Sequence, residues 1–191
     1  MTTFVIESPE RMAELGAIIA GQLRAGDLVL LNGALGAGKT TLTRAIGEYL
    51  GIRGTVTSPT FVLARTHPRL DVAETATAAP SQSASHSDRA PLVHVDAYRL
   101  GSAVELDDLD IDFEASIVVV EWGAGLLDGV SESWLNIDIV RPTGASDGKP
   151  NGPVTSAVDD FAEEAVEPRT VTVTAFGPRW ADMGWVDVFS D

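Results

Sequence analysis

The stretch Gly33-Ala34-Leu35-Gly36-Ala37-Gly38-Lys39-Thr40 constrains this chain more than any other. Its spacing is G-x-x-x-x-G-K-[ST], the pattern of a phosphate-binding loop. Glycines let the backbone curl until several N–H groups point at one anion. Lys39 supplies a mobile positive charge for β- and γ-phosphates, and the Thr40 hydroxyl is suited to Mg²⁺. A helix beginning there aims its positive dipole end at the same phosphates.

Such a loop must leave a strand and open a helix, and both are legible. Asp27 to Asn32 is a short apolar run, as expected of a parallel strand buried on both faces. Beyond the loop, Leu42, Ala45, Ile46, Tyr49 and Leu50 recur at helical spacing, and Gly51 supplies a C-terminal stop. Upstream, Phe4-Val5-Ile6 reads as a strand. Ser8 caps a helix with Pro9 at its first position and Glu10 in its first turn. Met12, Leu15, Ile18, Ile19 and Leu23 form its apolar stripe, with Gly26 as its expected end.

Downstream, Thr55 to Thr60 is a hydroxyl-rich turn around Pro59, and an apolar stretch then runs on as a strand to Arg65. Hydroxyl-rich turns close after a phosphate loop serve as switches that sense the γ-phosphate and Mg²⁺, and also as plain connections. Two further apolar runs, Leu92 to Asp96 and Ile117 to Glu121, end in acids. A carboxylate at such a strand end lies beside the loop and serves the metal or the attacking water. Trp122 follows directly, suited to stacking on a base or a partner, or to core packing. Between these runs, Glu105 to Glu114 alternates acids with apolar residues, which predicts a solvated helix and turn with an apolar underside.

Trp134 to Val140 alternates apolar with polar, the pattern of an edge or antiparallel strand, and Arg169 to Ala175 alternates likewise and is expected beside it as a hairpin. Pro178 to Val188 reads as a short helix or amphipathic tail. Residues 68–91 and 143–168 are poor in bulky apolar side chains and are expected to be flexible insertions within one domain spanning 1–191. The predicted fold is α/β, a mainly parallel central sheet flanked by helices, with an antiparallel hairpin near the C-terminus.

Composition narrows the function. The net charge of −15, with 13 basic against 28 acidic residues, argues against a protein that grips nucleic acid by itself. Acidity kept for solubility accounts for the same count. No cysteine is present, which removes disulfides, thiolate metal sites and cysteine nucleophiles and fits a reducing cytosol. No apolar run approaches the roughly 20 residues that span a bilayer. The N-terminus lacks a basic region followed by an apolar stretch, so no secretory signal and a cytoplasmic location are expected.

Taken together in order, Gly33 to Thr41, Thr57-Ser58-Pro59-Thr60-Phe61, Asp96-Ala97-Tyr98-Arg99-Leu100 and Glu121-Trp122 resemble the bacterial TsaE (YjeE) family. These are small P-loop ATPases of tRNA threonylcarbamoyladenosine biosynthesis. The resemblance covers roughly residues 4–142 without the 68–91 insertion. It implies a P-loop NTPase-like fold, with ATP and Mg²⁺ as ligands. It also implies partners resembling the TsaD transferase and TsaB, whose turnover the ATPase drives, with tRNA met only through them. Carried over, Gly33, Leu35, Gly36, Ala37, Gly38, Lys39, Thr40, Thr41 and Trp122 become candidate nucleotide contacts. Lys39, Asp96 and Glu121 become candidate catalytic groups, and Thr40, Asp96 and Glu121 candidate metal ligands. Thr57, Ser58 and Thr60 fall in the switch segment, while Arg44 and Arg99 are candidates to supply positive charge in cis.

Three other readings compete. A small-molecule kinase needs an arginine-rich lid, but residues 68–91 hold only Arg69 and Arg89. A GTP switch reads guanine with N-K-x-D and the γ-phosphate with D-x-x-G, and neither pattern occurs. A structural subunit would use nucleotide only to stabilise an assembly.

Overall fold

The structure is a computed structural model that describes residues 1–59, 62–70, 90–125, 130–142 and 167–189. Its strands are β1 (Thr2–Ile6), β2 (Leu28–Asn32), β3 (Ala64–His67), β4 (Leu92–Asp96), β5 (Ile117–Glu121), β6 (Trp134–Val140) and β7 (Arg169–Phe176). Its α-helices are α1 (Pro9–Ala20), α2 (Lys39–Leu50) and α3 (Ala103–Asp107). The strands form one sheet in the order β1-β7-β6-β2-β5-β4-β3. Neighbours among β6, β2, β5 and β4 run parallel, while β3, β7 and β1 each join antiparallel. The mainly parallel centre and the β6–β7 hairpin match the sequence expectation.

The two sheet faces are covered differently. Val29 and Leu31 of β2 pack with Met12, Leu15 and Ile19 of α1 and Leu42, Ile46 and Leu50 of α2. Leu28 and Leu30 point the other way, into a smaller core with Leu106 of α3 and the chain carrying Leu109, Ile111 and Phe113. Alternate side chains of a strand reach opposite faces, so β2, β4 and β5 are apolar on both faces except for His94 and the polar residues at their ends. All five residues of β4 and of β5 are buried. The underside expected between Glu105 and Glu114 is therefore present.

Four readings need correction. Of the two readings of β6, edge or antiparallel, the antiparallel one holds against β7, but the strand is interior and also pairs parallel to β2. Its alternation records unequal cover: Leu135, Ile137 and Ile139 are buried under the helices. On the other face Asn32, Asn136 and Asp138 hydrogen-bond one another half-buried. Helix α1 ends at Ala20 with Gly21 as its cap, so Leu23 lies beyond it, and Gly26 (φ +87°) instead shapes the turn into β2. Tyr49 is exposed, its hydroxyl beside Gly21 at the end of α1, and does not belong to the buried stripe of α2. The strand expected to end at Arg65 begins at Ala64 and runs to His67.

Pro68–Leu70 is tied to the end of α2: the Arg53 N–H donates to the Pro68 carbonyl, the Leu70 N–H to Gly51, and the Arg69 side chain to Leu50. At the other end of that stretch Ala90 is buried. The remainder of both expected insertions, 71–89 and 143–166, lies outside the described residues. The C-terminal segment follows the short-helix reading, as two 3₁₀ turns at Pro178–Trp180 and Gly184–Phe189 whose Trp180, Val186 and Phe189 join the main core. It is latched by Arg179, which donates to both oxygens of buried Asp27 at 3.0 Å.

Candidate active site around the phosphate loop

The loop leaves β2 at Gly33 and enters α2 at Lys39. Gly33 has φ +144°, and a Cβ there would sit 2.4 Å from the Ile139 carbonyl oxygen, so only glycine fits under β6. Gly38 caps α2 at φ +113° with no side-chain hydrogen bond. That leaves the first N–H groups of α2 for a ligand, as an anion site requires.

A cavity of about 560 Å³ opens above this helix end, lined by Leu35, Gly36, Gly38, Lys39, Thr40, Thr41, Ser58, Asp96, Tyr98, Glu121 and Trp122. Among the candidate contacts, Gly33 and Ala37 do not line it. Ala37 is fully buried and its N–H donates to the Ala34 carbonyl, so both act in shaping the loop.

Register explains how the acids meet. Asp96 and Glu121 are paired residues at the ends of parallel β4 and β5. Glu121 Oε1 accepts from the Thr40 hydroxyl at 3.0 Å, joining the strand end to the first turn of α2. One oxygen of Asp96 accepts from the Tyr98 N–H at 3.1 Å and so holds the turn that follows β4. Lys39 Nζ donates to the carbonyls of Gly33 (2.8 Å) and Ala34 (3.0 Å). Burial lowers the pKa of Lys39 from its ordinary value, and the charges of Glu121 and Asp96 oppose that.

Trp122 takes the left-handed conformation, φ +64°, with its N–H on the Leu31 carbonyl. This turn lays the indole over Lys39 and edge-on to Tyr98, with ring centroids 5.6 Å apart. Within the switch stretch, Ser58 lines the cavity and Thr57 accepts from Arg65 at 2.6 Å. Thr60 lies outside the described residues. Arg44 donates to the Val56 carbonyl, and neither it nor Arg99 is among the cavity's lining residues.

Two residues were given no site role by the sequence reading, Tyr98 although it stands in the Asp96–Leu100 motif. Tyr98, 70 % exposed, forms one wall. His94, wholly buried, hydrogen-bonds Glu121 at 2.8 Å. Its spacing of two from Asp96 on a strand places both side chains on one face, a signal that an apolar run hides.

The donor set suits Mg²⁺. That ion prefers oxygen ligands and keeps several waters, taking one or two carboxylates plus phosphates instead of a full protein cage. Thr40, Glu121 and Asp96 offer a hydroxyl and two carboxylates at one cavity wall. Among the described residues no group of three or more His, Cys, Asp or Glu forms a self-sufficient metal cage. None of their helices is long and apolar enough to cross a membrane.

Comparison with known proteins agrees with this geometry. Residues 6–147 match the family model described as "Threonylcarbamoyl adenosine biosynthesis protein TsaE". A Streptomyces coelicolor protein named "tRNA threonylcarbamoyladenosine biosynthesis protein TsaE" is 49% identical over 173 residues, covering 89% of this chain and 94% of the relative. A Mycobacterium tuberculosis protein of the same name is 43% identical over 148 residues, covering 73% and 79%. The crystal structure of Bacillus subtilus YdiB superposes with a TM-score of 0.59 at 25% identity, covering 99% of this chain and 93% of that one. With its phosphate loop, paired strand-end acids and sheet order in place, the chain belongs to the TsaE family.

Proposed function

We propose that this protein is a Mg²⁺-dependent ATPase that acts in threonylcarbamoyladenosine modification of tRNA, in the cytoplasm. It drives turnover of a transferase complex resembling TsaB–TsaD and meets tRNA only through that complex. The observation that carries the reading is the convergence of Lys39, Thr40, Asp96, Glu121 and Trp122 on one cavity at the start of α2.

Loop N–H groups and Lys39 hold the β- and γ-phosphates, so Lys39 exchanges its carbonyl partners for phosphate oxygens. Thr40, with Asp96 and Glu121, holds Mg²⁺, which when bound neutralises charge on the phosphates. The two carboxylates divide the metal and the attacking water between them. Trp122 closes the wall over Lys39. Thr57, Ser58 and Thr60 form the switch that senses the γ-phosphate. Since neither Arg44 nor Arg99 lines the cavity, hydrolysis by the isolated protein is slow, and the further positive charge comes with partner docking. Such a charge is worth about 10³ to 10⁵ in rate.

The test is ATP turnover by the purified protein with and without the transferase complex. Slow, Mg²⁺-dependent turnover that disappears in Lys39→Ala and rises with the complex is expected. Turnover that ignores the complex, or that needs a small-molecule acceptor, would favour a kinase.

A further inference from the structure

We propose that His94 is a positioning residue that fixes the carboxylate of Glu121 at the phosphate end of the cavity. The inference deepens the nucleotide reading above and rests on it. His94 sits mid-strand in β4, where the fold otherwise asks for an apolar side chain, and it is 0% exposed. An imidazole there costs stability unless it is hydrogen-bonded. Its Nε2 lies 2.8 Å from Glu121 Oε1, the oxygen that also accepts from Thr40.

A carboxylate can only accept, so Nε2 carries the hydrogen. Among the described residues Nδ1 has no partner, and the ring's hydrogen bond there goes to Glu121. Two donors on one oxygen, one from β4 and one from α2, restrain a side chain with three rotatable bonds. Core packing alone explains neither the choice of a polar ring nor its aim. A buried ring that orients a site carboxylate does explain both.

Three variants test it. His94→Leu removes the donor, His94→Gln keeps an N–H at similar reach, and His94→Asn keeps an amide too short to meet Glu121. Calorimetry reads Mg²⁺ affinity of the ADP complex, and steady-state kinetics read kcat and KM separately. Expected are a 10- to 100-fold loss in Mg²⁺ affinity and kcat for Leu and Asn, with KM for ATP within about threefold, and near-complete rescue by Gln. If His94→Leu does not fold, the Asn–Gln pair carries the same comparison. The inference is overturned if Asn or Leu matches wild type, or if Gln falls as far as Asn. Should wild type and Lys39→Ala prove equally inert toward Mg²⁺-ATP, the nucleotide reading itself fails. Active wild type, inert Lys39→Ala and unaffected His94 variants would sink the His94 role alone.

Discussion

The Nζ of Lys39 lies 3.8 Å from the centre of the Trp122 ring. The indole face thus shares the ammonium with the Gly33 and Ala34 carbonyls. A cation over a tryptophan face gains about 0.5–2 kcal/mol, depending on desolvation. Nucleotide phosphates compete for the same charge. Mg²⁺-ATP is therefore expected to change tryptophan emission, and Trp122→Phe should remove most of that change. Emission that responds equally in Trp122→Phe would place the nucleotide elsewhere. Lys39→Ala should weaken nucleotide binding at least tenfold, since each charged hydrogen bond is worth about 1.5–3 kcal/mol.

A second prediction concerns helix contact. A Cβ on Gly16 would lie 2.5 Å from the Ala45 Cβ, so α1 and α2 meet almost backbone to backbone. Overpacking a core costs about 1–3 kcal/mol, against up to about 1 kcal/mol gained from alanine's better helix propensity. Gly16→Ala should lower stability by up to about 2 kcal/mol in urea denaturation, and adding Ala45→Gly should return part of it. An unchanged or raised midpoint for Gly16→Ala would contradict the packing.

The Arg179 clamp gives a third. Asp27 is 4% exposed and takes both of its side-chain partners on the latch from one guanidinium. Arg179→Ala leaves that carboxylate buried without its cation and should cost about 2 kcal/mol. Arg179→Lys should recover less than half, since an ammonium cannot donate in the same fork. Equal stability of all three proteins would show the clamp to be idle.

His67 supplies a pH dependence. It is buried, and its Nε2 has no partner among the described residues. Burial, with the neighbouring His94 ring and the Arg65 charge, holds its pKa below the ordinary 6.5. Below pH 6.5 the unfolded chain therefore binds a proton that the folded one resists. Stability rises with pH through that window, is complete above 6.5, and is lost as pH falls beneath it. Urea midpoints at pH 7.5 and 5.5 should separate more for wild type than for His67→Gln. Parallel losses in the two proteins would assign the effect to other groups.

The legible parts of the molecule were those whose local pattern had one physical cause. Asp27 to Asn32 could only be a doubly buried strand, and the acids ending Leu92–Asp96 and Ile117–Glu121 fell side by side because parallel strands in register end together. The misread parts had two causes for one pattern. Alternation in Trp134–Val140 arises at an edge, but equally in an interior strand with one face thinly covered. Gly21 and Gly26 both punctuate a helix end, and only packing decides between them. His94 stayed hidden because its polarity is answered by Glu121, 27 positions away. Tyr98 took its place in the wall only once Trp122 had turned into the left-handed region.

Strand β1 finds its partner far along the chain. Thr3 and Thr172, whose hydroxyls meet at 3.0 Å across β1 and β7, are 169 positions apart, and Phe4 closes edge-on against Phe189. That edge of the sheet closes over the longest separation among the strands, and pairings of such long range form slowly. In the strand order β1 meets β7 alone, so one far strand holds it in place.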